Sequence, residues 1–373
     1  MAKPEILILS SWYPTKDQPF LGNFVVRNAQ LLQQRYNVTV INTIPSATTS
    51  TLTVQENKTN GYREILVTHP RGKNAYSKKR WQKKALKRAF LKTNHFDLIL
   101  GHVLLPKALQ FVIAKKHFDC PLILVEHGSY YREEKLSNWS RLQKYILQYS
   151  RKYFDEVIAV SDYLKKDIQS SFPSHHIRVI GNHIDTNAFD LNDSNAKETT
   201  EFLHISTLDP ATKNPQGIID ACSILDKKDE KFHLTIICDE DYSEWQAEVH
   251  DKGLNKHISF KGPLSWHDLV PYYQKANAFI LNSIYESFSI VVAESWATGT
   301  PVISTSVGIA SEIDPAYGIQ IEKNNPESLA DAMHTMILKK NNYSPKQLRD
   351  RAMLFSEEFI LNLWTKTIET HVK

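Results

Sequence analysis

Short runs of Val, Ile and Leu alternate along the chain with longer stretches in which apolar residues recur every three or four positions. The short runs lack polar alternation, which is typical of strands buried on both faces of a parallel sheet. The longer stretches predict amphipathic helices, as at Val25, Ala29 and Leu32 in the first half and at Ile218 and Leu225 in the second. This alternation predicts an α/β fold with two doubly wound sheets.

The predicted strands fall into two groups separated by the polar stretch Asp185–Thr199, which we interpret as a domain boundary. A final amphipathic helix over about Glu357–His371 could pack across both domains. The predicted strands of the first group are Ile6–Leu9, Val38–Ile41, Leu98–Leu100, Leu122–Val125, Val157–Val160 and Arg178–Ile180. Those of the second group are Phe202–Ile205, Leu234–Cys238, Ile258–Phe260, Phe279–Leu281, Val302–Ser304 and Ile319–Ile321.

Composition indicates the class of protein but does not indicate a binding partner. The 373 residues are 42% hydrophobic and 23% charged with a net charge of +4, a balance typical of a soluble globular protein. Cys120, Cys222 and Cys238 are too far apart for a metal-ligand pattern or a disulfide framework, so we expect a reduced, cytoplasmic compartment and a packing role for each thiol. The apolar run at Ile6–Leu9 is too short for a signal-peptide core, and no stretch approaches the roughly 18 apolar residues of a membrane span.

The strongest local signal lies in the second half, where a predicted strand leads through a loop into a short helix. The loop spans Asn282–Ser289, the helix begins near Ile290, and Gly299 ends it as a C-cap. Glu286 lies in the loop and Glu294 about one turn inside the helix. This strand–loop–helix context favours a ligand site over the alternative of a solvated loop followed by an exposed helix face.

The chemistry of this segment suits a nucleotide sugar. Backbone amides of Ser289, Ile290 and Val291, together with the positive end of the helix, can hold a diphosphate. A carboxylate can accept a hydroxyl proton on each oxygen and therefore suits vicinal diols. We thus predict that Glu294 binds the ribose and that Glu286 binds the transferred sugar.

The spacing Glu286-x7-Glu294, followed by Ala297-x-Gly299-x-Pro301-Val302, resembles the hallmark of the retaining family-4 glycosyltransferases. Weaker resemblances occur in the family's order along the chain, and their order and spacing make the match specific. They are Val157–Ser161, the linker Asn182–Phe189, and Ser306–Gly308 with Glu312-Ile313.

The resemblance implies the GT-B fold, in which two Rossmann-like domains face each other across a cleft. Residues 1–185 are then the acceptor-binding domain and residues 186–355 the domain that binds the nucleotide sugar. Residues 356–373 are then a C-terminal helix that packs back on the N-terminal domain.

Further residues along the chain resemble family site residues. Lys213 matches the lysine that neutralises the donor diphosphate, with a solvated lysine as the alternative. His127 matches the histidine near the sugar, with a structural histidine at a strand end as the alternative. The run Gly22-Asn23-Phe24 resembles the family's Gly-x-Phe entry, which approaches the donor phosphates or the acceptor, although a plain turn with Asn23 as N-cap would explain it equally well. His102 resembles a histidine lining the cleft, or one supporting its loop.

The activity implied is a metal-independent, retaining transfer from a UDP- or GDP-type sugar to a hydroxyl of a glycan or a lipid-linked acceptor. The catalytic residues would be His127, Lys213 and Glu286. Neither a metal nor another cofactor is expected, because the lysine and the helix amides replace the divalent ion. No covalent nucleophile is assigned.

Several departures from the family pattern keep a second interpretation open. Thr207 stands where the family has a second phosphate-binding Arg, and Cys238–Asp241 replaces a Gly-x-Gly loop. Ser289 and Ile309 each replace a glycine. The chain could therefore be a non-catalytic sugar-nucleotide-binding partner of an active transferase. An epimerase or phosphorylase of the same fold is a further alternative, whereas a dehydrogenase is disfavoured because no Gly-x-Gly-x-x-Gly follows the first strand.

The segment Arg71–Lys92 carries ten Lys and Arg residues and no acid. Its apolar residues, including Trp81 and Phe90, fall on one face of a predicted helix. Such a helix could contact the inner, anionic face of a membrane, which would suit a lipid-linked acceptor. Alternatively, it packs on the sheet while its charges face water. No recognition motif accompanies the charge, so nucleic acid is not an expected partner.

Overall fold

The structure is a computed structural model that describes residues 3–15, 18–58, 61–191, 199–311, 313–339 and 342–372. The chain divides into two compact units, which we call unit 1 and unit 2. Unit 1 comprises Met1–Asn182 and Ile360–Lys373, and unit 2 comprises His183–Phe359. Each unit is built around a largely or wholly parallel sheet flanked by helices, as the alternation of apolar runs predicted.

Unit 1 contains an eight-stranded sheet in the order β3-β4-β2-β1-β5-β6-β7-β8, parallel except that β3 pairs antiparallel with β4. Its strands are β1 (Glu5–Ser10), β2 (Asn37–Ser46), β3 (Thr53–Asn57), β4 (Arg63–Pro70), β5 (Leu98–His102), β6 (Leu122–Glu126), β7 (Glu156–Ala159) and β8 (Ile177–Val179). Its helices are α1 (Asn23–Leu32), α2 (Ala75–Phe90), α3 (Ala108–Phe118), α4 (Glu133–Ser137), α5 (Arg141–Ser150) and α6 (Asp162–Ile168).

Strands β3 and β4 were absent from the sequence prediction. Strand β4 alternates in burial rather than forming an unbroken apolar run, and its Ile65 and Val67 side chains are buried in the core. Strand β3 lies at the edge of the sheet and is largely exposed. Continuous apolar runs mark strands that are buried on both faces, so they reveal the central strands and not this edge of the sheet.

Unit 2 contains a six-stranded, wholly parallel sheet in the order β11-β10-β9-β12-β13-β14. Its strands are β9 (Thr200–Ile205), β10 (Phe232–Ile237), β11 (Ile258–Lys261), β12 (Ala278–Leu281), β13 (Val302–Thr305) and β14 (Gly318–Ile321). Its helices are α7 (Pro210–Lys213), α8 (Pro215–Lys227), α9 (Ser243–Asp251), α10 (Trp266–Lys275), α11 (Ile290–Ala297), α12 (Pro326–Leu338) and α13 (Pro345–Ala352).

Both sheets contain a point at which the strand order reverses direction. In unit 1 the first strand, β1, lies between β2 and β5, and in unit 2 β9 lies between β10 and β12. Loops that leave two such neighbouring strands diverge to opposite faces of the sheet, and the crevice between them is where open α/β sheets bind ligands. The topology therefore directs attention to the segments after β1, β5, β9 and β12.

The last helix, α14 (Glu357–Glu369), contributes to the core of unit 1. Trp364 and Ile368 are buried among residues of β1, β2 and α1. Arg35 donates hydrogen bonds to the side chains of Asn362 and Thr365, both at 2.8 Å. Residues from Ile360 onward thus pack with the N-terminal part of the chain.

Helix α2 carries most of the basic segment. Ala85, Leu86, Ala89 and Phe90 are buried, and the helix packs on β2 and β4. The ten basic residues are all exposed. One face of α2 therefore packs on the sheet, as the second of the two interpretations predicted, and the charged face lies on the surface. Among the residues that the structure describes, no helix has the length and apolarity needed to cross a membrane.

The three cysteines are buried in the structure and none forms a disulfide. Burial raises the pKa of Cys120 to about 11 and raises that of Cys222 further. These thiols are therefore protonated at neutral pH and unsuited to nucleophilic chemistry. Their surroundings agree with the packing role predicted from the sequence.

Candidate functional site

Lys213 is positioned by a short helix that follows β9. Asp209 begins α7 by accepting a hydrogen bond from the Ala211 amide at 3.1 Å and from the Thr212 hydroxyl at 2.6 Å. The helix ends at Asn214, which adopts the left-handed conformation at φ 48° and caps α8 with its side chain. Asn tolerates this conformation better than most residues, so the sharp change of direction just after Lys213 is encoded locally.

The loop after β12 is fastened to α7 by two hydrogen bonds. The Ile284 amide donates to the Thr212 carbonyl at 2.8 Å, and the Asn282 side chain donates to the Asn214 carbonyl at 3.2 Å. These bonds connect the segments that leave the two strands at the point where the order of the sheet reverses. Lys213 and the loop that carries Glu286 are therefore held side by side.

Lys213 and Glu286 form an ion pair, in which Nζ donates to Oε1 of the carboxylate. The Ser283 hydroxyl donates to the same oxygen at 3.0 Å. The two side chains are 20% and 16% exposed, so the pair is sheltered but reachable. The ammonium can bind an anionic ligand, and the carboxylate beside it can accept hydrogen bonds from hydroxyl groups.

Helix α11 begins beside this pair with an unusual residue at its N-cap. Ser289 adopts the left-handed conformation at φ 73°, and its side chain makes no capping hydrogen bond. The first amides of a helix have no partners within it and carry the positive end of the helix dipole. Within the described residues the buried Oγ of Ser289 also lacks a hydrogen-bond partner. The start of α11 can therefore accept an anionic ligand through its backbone.

The segment after β13 supports the loop in front of α11. The Ile309 amide donates to the Phe288 carbonyl at 2.8 Å. A Cβ atom on Gly308 would lie 2.5 Å from that carbonyl oxygen, so a glycine is required there. Because Ile309 acts through its backbone, its departure from the family's glycine leaves this contact in place. Glu312, which resembles the family's acid in this segment, lies outside the described residues.

Glu294 lies on the buried side of α11 and is only 4% exposed. Its Oε2 accepts a hydrogen bond from the Tyr273 hydroxyl of α10 at 3.1 Å. This places the second acid of the motif inside unit 2, in the helix that begins four residues after Glu286.

In unit 1, Gly22 and Asn23 follow β1 and begin α1. Gly22 is the N-cap residue at φ 76°, and a Cβ atom there would collide with the Trp12 carbonyl. Asn23 is the first residue of the helix and is exposed. The alternative that made Asn23 the N-cap is therefore wrong, since the left-handed turn needs a glycine and the chain enters the helix one residue earlier.

His127 follows β6 and is held between two rings. It stacks on Phe24 with ring centroids 3.9 Å apart, and its Nε2 shares a hydrogen bond of 3.2 Å with Nδ1 of His102 at the end of β5. Burial lowers the pKa of His102 to about 3. Burial, together with the neighbouring His102, lowers the pKa of His127 well below its ordinary value. Both imidazoles are neutral at physiological pH and suit hydrogen bonding to hydroxyl groups.

A buried carboxylate beside His127 was missed by the sequence analysis. Glu126 is fully buried and accepts hydrogen bonds from the amides of Leu104, His127 and Gly128. The hydroxyls of Tyr130 and Tyr131 also donate to it. Glu126 thereby fixes both loops that carry the histidine pair. The available signal was an acid at the end of an otherwise apolar strand, directly before a candidate site residue.

The predicted site residues thus fall into two groups. In unit 2 the structure brings Lys213 into contact with Glu286, and the helix that starts with Ile290 and Val291 also carries Glu294. In unit 1 it brings together Phe24, His102 and His127 close to the start of α1. Each group lies where the strand order of its own sheet reverses.

Two family models match consecutive parts of this chain. Glycosyltransferase Family 4 matches residues 21–188, and Glycosyl transferases group 1 matches residues 186–353. Together they span nearly all of unit 1 and unit 2.

Curated relatives show the same resemblance at modest identity. An uncharacterized glycosyltransferase of Methanocaldococcus jannaschii is 27% identical over 281 residues, which is 74% of each chain. A D-inositol 3-phosphate glycosyltransferase of Paenarthrobacter aurescens is 30% identical over 132 residues, 33% of this chain and 32% of that protein.

Solved structures match over the full length. Sucrose-phosphate synthase from Thermosynechococcus elongatus superposes with a TM-score of 0.78 at 16% identity, covering 99% of both chains. Anabaena HepE in complex with UDP-glucose superposes with a TM-score of 0.70 at 17% identity, covering 98% of this chain and all of that one. At such identities the likeness establishes the fold.

Proposed function

Since this chain belongs to the GT-B glycosyltransferases, we propose that it transfers a sugar from a nucleotide-diphosphate sugar with retention of anomeric configuration. The acceptor is a hydroxyl of a glycan or of a lipid-linked saccharide. The observation that carries this proposal is the contact between Lys213 and Glu286 beside the first turn of α11. The pair supplies one cation and one carboxylate, and the helix that begins four residues after Glu286 offers the amides of its first turn.

In this proposal the donor binds unit 2. The amides of Ser289, Ile290 and Val291 and the ammonium of Lys213 hold the diphosphate. Glu286 accepts from hydroxyls of the transferred sugar, and Glu294 accepts from the ribose. The Anabaena HepE structures in complex with UDP or UDP-glucose support a nucleotide sugar as the ligand of this fold.

The chemistry proposed is a front-face substitution. The bond between the anomeric carbon and the diphosphate oxygen breaks, and the acceptor oxygen forms its bond on the same face. The acceptor proton passes to the departing diphosphate. Lys213 and the helix amides stabilise the negative charge that develops on that group, a role a divalent metal would otherwise fill. Neither a metal nor a covalent nucleophile is part of the proposal.

Unit 1 is proposed to bind the acceptor. His127 is neutral and braced by Phe24, His102 and the Glu126 cluster, so it can bind a sugar hydroxyl in a fixed orientation. The exposed basic face of α2 is proposed to contact the inner, anionic surface of a membrane, where a lipid-linked acceptor would lie.

Membrane contact is tested by flotation with vesicles that contain phosphatidylserine. Reversing the charges of Lys83, Lys84, Lys87 and Arg88 should abolish flotation. Reversing Lys228, Lys231, Lys252 and Lys256 in unit 2 alters net charge equally and should leave flotation intact. Equal flotation of both variants would contradict the role of α2.

The central experiment screens UDP- and GDP-sugars for binding and then follows the anomeric configuration of the product by NMR. Retention is expected, and turnover should survive EDTA. Lys213→Met should abolish transfer, whereas Lys228→Met removes a surface lysine of the same unit and should not. An inverted product would refute the mechanism. Nucleotide binding with no turnover on any acceptor would favour the non-catalytic alternative.

A further inference from the structure

Strands β9 and β12 lie beside each other at the point where the strand order of unit 2 reverses. Their backbones pair through Leu203 and Phe279. One residue further along β9, the side chain of His204 is fully buried, and its Nδ1 bonds to the Ile280 carbonyl of β12 at 2.9 Å. Because a carbonyl only accepts, Nδ1 carries the proton. The His204 side chain therefore joins the two strands just before the loops that carry the proposed donor site.

The second ring nitrogen of His204 extends this contact into the loop after β9. Burial lowers the pKa of His204 to about 4, so the imidazole is neutral at physiological pH and its Nε2 is an acceptor. The Ser206 hydroxyl lies 2.7 Å from Nε2 and therefore donates to it. The oxygen of the same hydroxyl accepts a hydrogen bond from the Leu208 amide at 3.0 Å. One chain of hydrogen bonds thus runs from β12 through His204 and Ser206 to Leu208.

This chain of hydrogen bonds ends at a residue with an unfavourable backbone conformation. Leu208 has a φ of 56°, in the left-handed region, although its bulky side chain is buried in the core of unit 2. Such a conformation persists only where the surrounding structure fixes it, and Ser206 does so at the amide.

Helix α7 starts directly after Leu208, and it carries Lys213. Asp209 is the N-cap residue of α7, and its carbonyl accepts hydrogen bonds from the amides of Thr212 at 3.1 Å and Lys213 at 2.7 Å. The conformation of Leu208 therefore sets the direction in which α7 leaves the sheet. It also sets the place of the lysine that pairs with Glu286.

We propose that His204 and Ser206 are positioning residues that hold Lys213 in place for the diphosphate of the donor. This inference rests on the proposed function, in which unit 2 binds a nucleotide sugar. His204 is fully buried and acts through Ser206 and the turn at Leu208. Neither residue takes part in a bond-making step.

Calorimetry with UDP and GDP, each compared with its nucleoside, tests the role of the hydroxyl. Ser206→Ala should lower the diphosphate affinity about tenfold and leave the nucleoside affinity unchanged, because Lys213 is assigned to the phosphates alone. Ser206→Thr retains a hydroxyl and should bind the diphosphate as the wild type does. Diphosphate affinity of Ser206→Ala equal to that of the wild type would overturn the proposal, and so would an equal loss of nucleoside affinity.

A double-mutant comparison tests whether His204 and Ser206 act as one unit. His204→Phe should lose diphosphate affinity to a similar extent, and the double variant should lose no more than the more affected single variant. His204→Asn offers a donor to the Ile280 carbonyl and serves if the phenylalanine variant folds poorly. Additive losses would overturn the proposal, because independent effects do not arise from one chain of hydrogen bonds.

A second serine–histidine contact in unit 2 supplies the matched control. The Ser259 hydroxyl of β11 lies 2.9 Å from Nε2 of His233 on β10, at the other side of the sheet. Ser259→Ala should therefore keep the diphosphate affinity of the wild type. A loss equal to that of Ser206→Ala would show a general effect on unit 2 and would overturn the assignment.

NMR of the imidazole nitrogens gives a signature of the contact itself. In the wild type, Nδ1 of His204 should carry the proton and Nε2 should carry none, and the Nε2 resonance should shift in Ser206→Ala. A proton on Nε2 would contradict the contact with the Ser206 hydroxyl as described and would overturn the proposal.

The same calorimetry separates this inference from the proposed function. A wild type that binds neither diphosphate more tightly than its nucleoside would refute the proposed function. A wild-type preference for the diphosphate that Ser206→Ala and His204→Phe both retain would refute the positioning role alone.

Discussion

The two units share a sheet topology but differ in the chemistry at the point where strand order reverses. In unit 2 that point carries an ammonium and a carboxylate in contact, both partly exposed, beside a helix N-terminus. In unit 1 it carries two neutral imidazoles over a fully buried carboxylate. The same architecture therefore supplies a charged site in one unit and a neutral, rigidly supported one in the other.

This difference suggests a division of labour. A diphosphate needs positive charge and amide donors, and these lie in unit 2. A sugar hydroxyl needs neutral groups of fixed orientation, and these lie in unit 1. Since fold alone does not decide function, the side chains at the two switch points carry the argument.

The largest effect is expected at the charged site. Glu286→Gln should lower kcat/KM by about 10²- to 10³-fold, because we propose that the carboxylate binds sugar hydroxyls and stabilises the charge-separated state. Affinity for the free nucleotide should change little. Steady-state kinetics and calorimetry measure the two quantities, and Glu248→Gln on α9 is the control. Turnover like that of the wild type would remove Glu286 from the mechanism.

The next largest effect is expected on substitution of Glu126, the buried carboxylate that supports the histidine pair of unit 1. Glu126→Gln places an amide donor against the three backbone amides and two hydroxyls that now donate to the carboxylate. We expect a loss of about 3 kcal/mol in the free energy of unfolding, measured with urea. Glu134→Gln, on exposed α4, should stay within about 0.5 kcal/mol of the wild type. Equal stability of the two variants would show that the Glu126 cluster is not a structural support.

The histidine pair should make unit 1 sensitive to acid. The pKa of His102 is about 3 in the folded state, below its ordinary value of about 6.5, so the unfolded chain binds more protons as pH falls. Stability is full above the unfolded pKa and is lost progressively below it, by about 2 kcal/mol for His102 between pH 7.5 and 5. His102→Gln should reduce this slope in urea unfolding. An unchanged slope would mean that His102 titrates normally.

The smallest effect concerns the two helix starts. Gly22 and Ser289 both adopt the left-handed conformation at an N-cap. This conformation is sterically unfavourable for serine, which has a Cβ atom, and not for glycine. Ser289→Gly should raise the free energy of unfolding by about 1 kcal/mol and leave donor affinity unchanged, because the backbone amide is the proposed contact. A marked loss of donor affinity would instead identify the Ser289 hydroxyl as the contact.

The sequence predicted the central strands well, because these leave a local signal, and it singled out Glu286 and Lys213, which the structure places in contact. Unbroken apolar runs mark buried parallel strands, and the spacing of Glu286, Glu294 and Gly299 marks a strand–loop–helix unit. Strands β3 and β4 left only weak alternation. The contacts of Lys213 with Glu286, and of His102 with His127, join positions 73 and 25 residues apart, so sequence alone could suggest but not show them.

The departures from the family pattern also show that sequence alone does not reveal contacts. Ile309 replaces a glycine yet keeps its backbone contact with Phe288, which only coordinates reveal.

The most direct test compares the affinity of the donor's nucleoside diphosphate with that of its nucleoside, in the wild type and in Lys213→Met. The wild type should prefer the diphosphate strongly, and the variant should lose roughly 10- to 100-fold in diphosphate affinity while binding the nucleoside as before. If Lys213→Met binds the diphosphate as tightly as the wild type, unit 2 does not hold the donor through this lysine and the account fails.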